Sequence, residues 1–591
     1  MSKIKLSDYV AKRLKEQGVN HFFMVSGGGA MHLNDSLGKV LSYTCNHNEQ
    51  GCSISAEGYA RVNQRLAVVN VTTGPGGLNC LNGVFGSWTD SVPVLYISGQ
   101  VKRATMLNNC NLPIRQMGDQ EVDIVSVVKS LTKYAVCVKE PKEIKYHLDK
   151  AIYLATHDRF APCWIDIPID VQSSIIEEDD LIEFNPNSKP IYDLAINDVV
   201  EKLNYAKRPL VISGQGIRQA DVIDEFKKLV KNLDIPVVTT FNGFDLMQTD
   251  DENYIGRIGS VGQRAGNFAL QNADLILCLG TRNNVRQVSY NWENFGKNAY
   301  KIVVDIDRAE LEKPLVKPDL AVQADLRGFL PELLNKIELI KIKNKNDKWL
   351  KFCQNLKNKY CFENHPEQEQ KDKIEPYHFT HILTKCMQEG DIFVMSNGSA
   401  CVCPFQNAIV KENQRYILNG GNASMGYGLP ASIGACYEAN GRRVICLEGD
   451  GSIMMNIQEL QTIKHNNLPI KLFVINNNGY SSIRQTQKNF FNGNMTGSGV
   501  NSGVSVPDFV KVGEAFGIKS VRIDNPATME EDIKKVLSYD GAILCEVMTI
   551  EEYSFAPKLS SRKLEDGTMV SASLEDMAPF LPREEFEENI L

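Results

Sequence analysis

Residues 444–479 read VICLEGDGSIMMNIQELQTIKHNNLPIKLFVINNNG, and this stretch decides the fold class of the chain. The apolar run 444–447 predicts a buried strand, and the turn GDGS at 449–452 ends it. Residues 453–465 have the length of a helix, and the apolar run 470–475 predicts a second buried strand. A strand, a turn, a helix and a second strand form a βαβ unit, which implies a parallel sheet with helices on both faces.

The same order of elements occurs at two earlier places in the chain. In the first third, the apolar run 66–71 precedes a Gly-rich turn and a helical stretch that leads to the strand 94–97. In the middle, the run 209–213 precedes the turn Gly-Gln-Gly and a helical stretch that leads to the strand 237–240. This approximate repeat predicts an α/β protein with three doubly wound parallel-sheet domains.

Changes in composition between these units set the expected domain boundaries. The acidic and irregular stretch 177–189 is typical of a linker. We expect domains at 1–175, 190–342 and 360–548, followed by a C-terminal arm or lid at 549–591. The last segment is polar with interspersed prolines, which favours an arm or lid over another core.

The overall composition excludes several classes of protein. Hydrophobic residues make up 43% and charged residues 23% of the 591 positions, which is ordinary for a globular protein. The net charge of −8 gives no sign of a nucleic-acid partner, and no apolar run has the length of about 18 residues that a membrane-spanning helix needs. Fifteen cysteines in so long a chain indicate reduced thiols. Since the N-terminus has no signal-peptide pattern, we expect a cytoplasmic protein with neither nucleic-acid nor membrane partners.

Two polar turns follow neighbouring strands of the third unit. Asp450 lies in the first turn, and Asn477 and Gly479 lie in the second, with 27 positions between Asp450 and Asn477. This is the length of a crossover helix, so both turns meet at the carboxyl edge of the sheet. A carboxylate, an amide oxygen and a backbone carbonyl suit Mg²⁺ or Ca²⁺, and the glycines let backbone N–H groups approach a diphosphate. Either turn alone is more typical of a plain loop, but the two together favour a metal and diphosphate site.

The two turns resemble the pattern of thiamine-diphosphate (ThDP) enzymes, Gly-Asp-Gly followed by Asn-Asn, and specifically their acetolactate synthase-like branch. The resemblance covers nearly the whole chain and implies a pyrimidine-binding, a central and a diphosphate-binding domain, in that order. It implies ThDP and Mg²⁺ as cofactors, with Asp450, the Asn477 side chain and the Gly479 carbonyl as metal ligands. Other residues that it implies for cofactor binding in the third domain are Gly449, Gly451, Ser452 and Gly398.

A second element of the family lies in the first domain. Residues 46–50 (NHNEQ) and 56–61 (AEGYAR) resemble the loop and helix that carry the activating glutamate, which is Glu49 here. ThDP reacts as a carbanion at C2, and a carboxyl group hydrogen-bonded to N1′ promotes the imino form that removes the C2 proton. By itself, Glu49 is more typical of a solvated loop acid; beside the Asp450 and Asn477 pattern, we interpret it as catalytic.

The segment GGNASMGYGLP at 420–430 resembles the part of the family that holds the pyrimidine ring. The resemblance implies that the Ala423 carbonyl accepts a hydrogen bond from the 4′-amino group and that the Met425 N–H donates to the ring. It also implies that the Met425 side chain bends the cofactor into a V shape. Simple core packing is the alternative for this methionine.

Candidate residues for the substrate lie in the first domain. The segment SGGGA at 26–30 resembles the loop that lines the reaction centre, which makes Gly28 and Gly29 candidates, and Gln120 matches the active-site glutamine of the family. We expect these groups to polarise the carbonyl of a 2-keto acid donor, most simply pyruvate. The acyl unit would then pass to the carbonyl of an acceptor, while the cofactor performs the bond-breaking.

Three positions depart from the pattern of true acetolactate synthases. Thr486 replaces a bulky aromatic residue, Ile169 replaces a lysine and Asp119 replaces a phenylalanine. Smaller and more polar side chains favour a hydroxylated acceptor, such as a nucleotide-linked keto-deoxysugar, over a second pyruvate. Acetolactate synthesis itself, another ThDP lyase or keto-acid oxidase, and a non-catalytic relative remain alternatives.

The second domain has a weak dinucleotide pattern. Residues 214–216 (GQG) open a helix, but Gln219 stands where G-x-G-x-x-G needs a third glycine. The resemblance implies that this domain can hold FAD, although Asn284 replaces an acidic family residue; an empty domain kept for dimer architecture is the alternative. The candidate FAD-binding residues are Gly214, Gly216, Gly280, Arg282, Arg286, Asp305, Ile306 and Asp325.

The resemblance also implies an assembly of identical chains. In this family the active site lies between two subunits, so Glu49 would come from one subunit and Asp450 with Asn477 from the other. We therefore expect a homodimer or a homotetramer.

Overall fold

Continuous apolar runs form the central strands of three six-stranded sheets in the computed structural model, which describes residues 3–186, 192–342, 347–362, 372–563 and 566–591. Every strand pairing within these three sheets is parallel. Strands of a parallel sheet are covered by helices on both faces, so their side chains are apolar on both sides. The prediction of three doubly wound α/β domains is confirmed.

The N-terminal unit contains one of these sheets and a short pair of flanking strands. Its strands are β1 (Lys3–Lys5), β2 (His21–Met24), β3 (Ser42–Cys45), β4 (Ala67–Val71), β5 (Val94–Gln100), β6 (Tyr134–Cys137), β7 (Cys163–Pro168) and β8 (Ile175–Glu177). Its helices are α1 (Leu6–Glu16), α2 (Met31–Val40), α3 (Glu49–Asn63), α4 (Pro75–Asn79), α5 (Leu81–Thr89), α6 (Ile124–Val128), α7 (Ile144–Thr156) and α8 (Ile169–Gln172). The sheet order is β3-β2-β4-β5-β7-β6, and β1 pairs antiparallel with β8. The unit therefore continues past residue 175.

The central unit has the same layered construction. Its strands are β9 (Pro209–Ser213), β10 (Val237–Thr239), β11 (Tyr254–Arg257), β12 (Leu275–Leu279), β13 (Tyr300–Asp305) and β14 (Leu320–Gln323), in the order β11-β10-β9-β12-β13-β14. Its helices are α9 (Ile196–Tyr205), α10 (Gly216–Gln219), α11 (Ile223–Leu233), α12 (Arg264–Asn272), α13 (Val285–Val288), α14 (Arg308–Glu312), α15 (Leu326–Asn335) and α16 (Asp347–Lys359). The last helix packs Cys353 and Leu356 into the core of this unit.

The C-terminal unit contains the two polar turns. Its strands are β15 (Ile392–Met395), β16 (Arg415–Ile417), β17 (Val444–Gly449), β18 (Lys471–Asn476), β19 (Lys519–Ile523) and β20 (Ile543–Met548), in the order β16-β15-β17-β18-β20-β19. Its helices are α17 (Pro376–Cys386), α18 (Ser399–Asn407), α19 (Gly428–Tyr437), α20 (Asp450–Ile453), α21 (Glu459–His465), α22 (Ser481–Phe490), α23 (Phe509–Ala515) and α24 (Met529–Ser538). Because β17 and β18 are adjacent, their carboxyl ends lie side by side.

The C-terminal tail crosses from this unit to the central one. Its elements are β21 (Ser561–Lys563), β22 (Met569–Ser571) and α25 (Arg583–Glu588). Leu574 is buried in the same apolar cluster as Phe268 of α12, and its carbonyl accepts a hydrogen bond from Asn267 at 2.9 Å. The described part of the tail is therefore an arm that completes the core of the central unit.

Helices α3 and α19 join the N-terminal and C-terminal units. A Cβ atom on Gly58 of α3 would overlap the carbonyl of Ala431, and one on Gly434 of α19 would overlap the carbonyl of Ser55. Glycine is thus required on both helices for their backbones to approach so closely. The helix that begins at Glu49 is fixed against the unit that carries the polar turns.

The cysteines and the helix lengths agree with an ordinary globular interior. All fifteen cysteines are free thiols, and burial raises the pKa of Cys163 to about 12, which keeps that thiol protonated. Within the described ranges, every helix is too short or too polar to span a bilayer.

Candidate active site

Asp450 organises the turn that follows β17. Its carboxylate is buried, with Oδ2 accepting the backbone N–H groups of Asn477 and Gly479 at 2.9 Å each. Oδ1 accepts the N–H of Gly451 at 2.7 Å. Burial raises the pKa of Asp450 to about 6, against the opposing effect of these hydrogen bonds. The structure therefore brings the three predicted metal ligands, Asp450, Asn477 and Gly479, into one cluster.

The residues around this cluster are small or polar. Gly451 cannot carry a side chain because a Cβ atom would overlap the ring of Tyr480. The hydroxyl of Ser452 lies 2.7 Å from that of Ser396 and accepts the N–H of Gly426 at 2.9 Å. Gly449 ends β17, and Gly398 adopts a φ of 58° before α18, a conformation that favours glycine. These small and polar residues lie at the carboxyl ends of β15 and β17.

Arg484 holds the second turn in place, and the sequence reasoning missed it. Its guanidinium donates to the carbonyls of Asn477 at 2.7 Å and of Asn478 at 3.0 Å. It also donates to the carbonyl of Glu551 at the start of the tail, at 2.9 Å. Arginine is suited to this task because its planar head carries five donors.

The predicted pyrimidine-binding segment is shaped by Asn419. Its side-chain oxygen accepts the N–H groups of Asn422 at 3.0 Å and Ala423 at 2.9 Å. Ala423 is held at a φ of 54°, a strained conformation for alanine, and such strain is found most often at functional sites. The Met425 side chain is partly exposed rather than buried in a core. The N–H of the next residue, Gly426, donates to Ser452, so this segment adjoins the predicted diphosphate-binding residues.

Glu49 begins helix α3 and faces the Gly-rich turn after β4. Its Oε2 accepts a hydrogen bond from Asn79 at 2.9 Å, and a Cβ atom on Gly76 would lie 3.6 Å from its Oε1. Asn48 caps the helix by accepting the N–H of Gln50 at 2.8 Å. This cap fixes the first turn of the helix and therefore the direction of the Glu49 side chain.

The substrate-side candidates surround the same turn. Gly29 donates its N–H to Thr72 at 3.1 Å, and its carbonyl accepts from Gln172 at 2.8 Å. A Cβ atom on Gly28 would meet open space. Gln120 is exposed at a φ of 60°, and its carbonyl lies where a Cβ atom on Gly74 would be. Gly28, Gly29, Gln120 and Glu49 are thus gathered around the turn at 72–77.

Glu121 is a further residue that sequence reasoning missed. Its carboxylate is buried and accepts the N–H groups of Leu107, Met117 and Gly118 at 2.5, 3.3 and 3.0 Å. It therefore fixes the loop that carries Gln120.

Of the three departures from the acetolactate synthase pattern, Asp119 and Thr486 are exposed and Ile169 is half-buried at the start of α8.

A separate pocket lies where the three units meet. It encloses about 1050 Å³, including the part open to solvent, and seven of the eight candidate FAD-binding residues line it. They are Gly216, Gly280, Arg282, Arg286, Asp305, Ile306 and Asp325. Gly214 lies against Gly280, where a Cβ atom would overlap the backbone. Burial raises the pKa of Asp305 to about 6.

Models of known protein families match the chain in three consecutive segments. The N-terminal TPP binding domain of thiamine pyrophosphate enzymes matches residues 4–127, the central domain of these enzymes matches 196–333, and their C-terminal TPP binding domain matches 397–547. The chain belongs to the thiamine pyrophosphate (ThDP) enzymes. The family resemblance identified in the sequence is confirmed.

Similar proteins place this ThDP enzyme in the acetolactate synthase-like branch. The acetolactate synthase large subunit of Lactococcus lactis subsp. lactis (strain IL1403) is 33% identical over 571 residues, which are 95% of this chain and 96% of that protein. The large subunit from Porphyra purpurea is 30% identical over 574 residues, covering 92% of each chain. The isozyme 2 large subunit of Escherichia coli (strain K12) is 29% identical over 548 residues, covering 92% and 95%.

Proposed function

We propose that this ThDP enzyme is a Mg²⁺-dependent carboligase, which decarboxylates a 2-keto acid and joins its acyl carbon to the carbonyl carbon of an acceptor. The observation that carries this proposal is the geometry of Asp450, whose buried carboxylate is oriented by the backbone of the Asn477–Gly479 turn. A carboxylate, an amide and a carbonyl with free lone pairs are the donor set that Mg²⁺ takes together with phosphate oxygens. The residues present therefore fit a metal-bound diphosphate.

The roles of the protein groups follow from their positions. When bound, ThDP supplies the electron sink for decarboxylation. Asp450, Asn477 and Gly479 would hold Mg²⁺, while Ser452 and the N–H groups around it would hold the diphosphate. Glu49 would hold a proton at N1′ of the pyrimidine, and the Ala423 carbonyl would accept from its 4′-amino group. The strained backbone at Ala423 presents that carbonyl in a fixed direction.

The group transfer needs no external oxidant or reductant. The C1–C2 bond of the keto acid breaks and CO₂ leaves, and the electron pair of that bond forms the new C–C bond to the acceptor. The acceptor oxygen takes one proton. Gly28, with open space beside it, and Gln120, exposed on its loop, would orient the donor.

The acceptor that we favour is a nucleotide-linked keto-deoxysugar. Thr486 is exposed on α22 and donates its hydroxyl to the Ser482 carbonyl at 3.1 Å, so its oxygen remains free to accept. Thr486 and the exposed carboxylate of Asp119 would make the acceptor side more polar than the bulky aromatic residue and the phenylalanine that they replace. Acetolactate formation from two pyruvates is the alternative, which the names of the relatives favour.

We also propose that the site is completed by a second copy of the chain. Large apolar side chains are exposed in both units that carry site residues. In the N-terminal unit, which carries Glu49, Phe85 and Trp88 of α5 are each 38% exposed. In the C-terminal unit, which carries Asp450, Met454 and Met455 after α20 are 41% and 47% exposed. Exposed apolar surface of this kind is typical of an interface. Glu49 of one subunit would then complete the Asp450 cluster of the other.

The pocket between the three units suits FAD. Arg282 and Arg286 supply positive charge for a diphosphate, and the Arg286 guanidinium lies 4.8 Å from the ring centre of Phe241. Gly216 and Gly280 keep the backbone accessible, as close approach to a pyrophosphate requires. Purified protein should therefore carry flavin absorbance, which Arg286→Ala lowers.

CO₂ release from pyruvate tests the main proposal. The enzyme is incubated with ThDP and Mg²⁺, with and without a nucleotide-linked keto-deoxysugar, and CO₂ and acetolactate are measured. Release that accelerates only with the sugar supports the favoured acceptor. Rapid acetolactate formation from pyruvate alone would show acetolactate synthesis, and no release from any 2-keto acid would refute the proposed function.

A further inference from the structure

The first part of the tail lies along the helices that border the proposed site. The hydroxyl of Tyr553 is hydrogen-bonded to that of Ser399, at the start of α18. The N–H of Phe555 donates to Gln485 Oε1 of α22 at 3.3 Å. Gln485 directly follows Arg484, which holds the turn of the proposed metal ligands. The tail therefore brings its next residues to the acceptor side of the site.

Lys558 is a cation that has no carboxylate partner among the described residues. Its Nζ lies 3.5 Å from Gln485 Oε1. Among the residues that the structure describes, no carboxylate oxygen lies within 4.0 Å of its Nζ, the distance at which two charged groups form an ion pair. The side chain is half-buried, and burial alone lowers the pKa of its ammonium group. A desolvated charge with no counter-ion is costly, so an anion supplied from outside would stabilise it.

Gln485 provides a second unsatisfied donor at the same spot. Its Oε1 accepts from both Phe555 and Lys558, while its Nε2 is buried and has no partner among the described residues. Rotating the amide by half a turn would place its NH₂ group against two other donors, the Phe555 N–H and the Lys558 ammonium. The hydrogen bonds therefore determine which end of the amide faces them. Buried amide donors in folded proteins are almost always paired, whereas this one has no partner in the described part of the chain.

We propose that Lys558 and the Gln485 NH₂ group together bind an anionic group of the acceptor. That group is the carboxylate of a second keto acid or a phosphate of a nucleotide-linked sugar. This inference rests on the proposed carboligase function and extends it to acceptor recognition. An ammonium and an amide NH₂ group on two neighbouring side chains are suited to oxygen anions, because both donate and neither accepts.

The ratio of two products made by the same enzyme provides the test. Pyruvate is supplied as donor, and an anionic acceptor competes with acetaldehyde, a neutral acceptor that yields acetoin. One arm uses pyruvate itself as the anionic acceptor, and the other uses a nucleotide-linked keto-deoxysugar. The ratio of the anionic-acceptor product to acetoin does not depend on the amount of folded, cofactor-loaded enzyme, so a loss of stability does not imitate the effect.

Lys558→Met should lower this ratio by about 10-fold or more in at least one arm, since a charge-assisted hydrogen bond is lost. Lys558→Arg keeps the charge and should retain most of the ratio. Lys488→Met is the matched control, because Lys488 lies on α22 but pairs with Glu552 at 2.8 Å; its ratio should equal that of the unchanged enzyme. A fall in the pyruvate arm alone identifies a carboxylate, and a fall in the sugar arm alone identifies a phosphate.

An unchanged ratio in both arms for Lys558→Met would overturn the inference while leaving the carboligase function intact. An equal fall in Lys488→Met would overturn it as well, because the effect would then be one of general charge. Absence of CO₂ release from pyruvate in the unchanged enzyme would instead refute the proposed function itself.

Discussion

The carboxylate of Asp90, at the end of α5, accepts the backbone N–H of Gly421 at 3.0 Å, and this bond links the N-terminal unit to the predicted pyrimidine-binding segment. The other oxygen of Asp90 accepts from Arg61 at 2.8 Å, and both side chains are buried. Arg282, which lines the central pocket, lies 3.9 Å from Asp90. A single buried carboxylate thus connects the three units beside both proposed cofactor sites.

Replacing this carboxylate should weaken both the fold and cofactor binding. Among the described residues, Asp90→Asn leaves the buried Arg61 paired with Glu57 alone. Breaking a buried pair of this type costs about 3 kcal/mol. We expect a lower thermal unfolding midpoint and a ThDP dissociation constant higher by about 10-fold, measured by tryptophan fluorescence. Asp35→Asn, which removes an exposed carboxylate, should change neither quantity. Equal behaviour of the two variants would contradict the assigned role of Asp90.

The contact between Gly451 and Tyr480 allows a test by double mutation. In Gly451→Ala the new methyl group overlaps the tyrosine ring, and overpacking of this kind costs about 1–3 kcal/mol. We expect weaker ThDP binding, partly restored when Tyr480→Ala is added. Gly328→Ala is the control, because a Cβ atom there meets open space on α15. If the double variant binds ThDP no better than Gly451→Ala, the overlap with Tyr480 is not the cause of the weaker binding.

The comparison of sequence and structure separates local from long-range features. The βαβ units and the Asp450 and Asn477 turns could be predicted because apolar runs and turn residues are local patterns. The bond from Asp90 to Gly421 could not, because the two residues are 331 positions apart and any residue has a backbone N–H. For the same reason the contact of Arg484 with Glu551 left no pattern in the sequence.

The tail shows how composition can obscure burial. Its polar composition indicates an arm, yet Leu574 and Met577 are fully or almost fully buried, at 3% and 0% exposure. Two apolar residues three positions apart are too few to produce a periodic signal. Their burial depends on the polar face of α12, where Arg264 and Asn267 donate to tail carbonyls.

Glu49→Gln should abolish turnover with little effect on cofactor affinity. The amide keeps the size of the side chain but cannot hold the exchangeable proton that the proposed role requires. Because the proposed metal and diphosphate anchor lies in the C-terminal unit, ThDP affinity should change by no more than about 3-fold. CO₂ release from pyruvate and ThDP titration measure the two effects, with the exposed Glu16→Gln as control. Turnover that survives the substitution would exclude Glu49 as the activating acid.

Removal of the metal should imitate the loss of Asp450. In the unchanged protein, chelation of Mg²⁺ should raise the ThDP dissociation constant by about 100-fold, because the diphosphate loses its counter-ion. Asp450→Asn should bind ThDP weakly at every Mg²⁺ concentration, since a neutral amide is a poorer ligand and its NH₂ group opposes the backbone N–H groups of Gly451, Asn477 or Gly479. Asp524→Asn, an exposed position in the same unit, should retain the full Mg²⁺ dependence. Tight, Mg²⁺-dependent binding of ThDP by Asp450→Asn would show that the metal is held elsewhere.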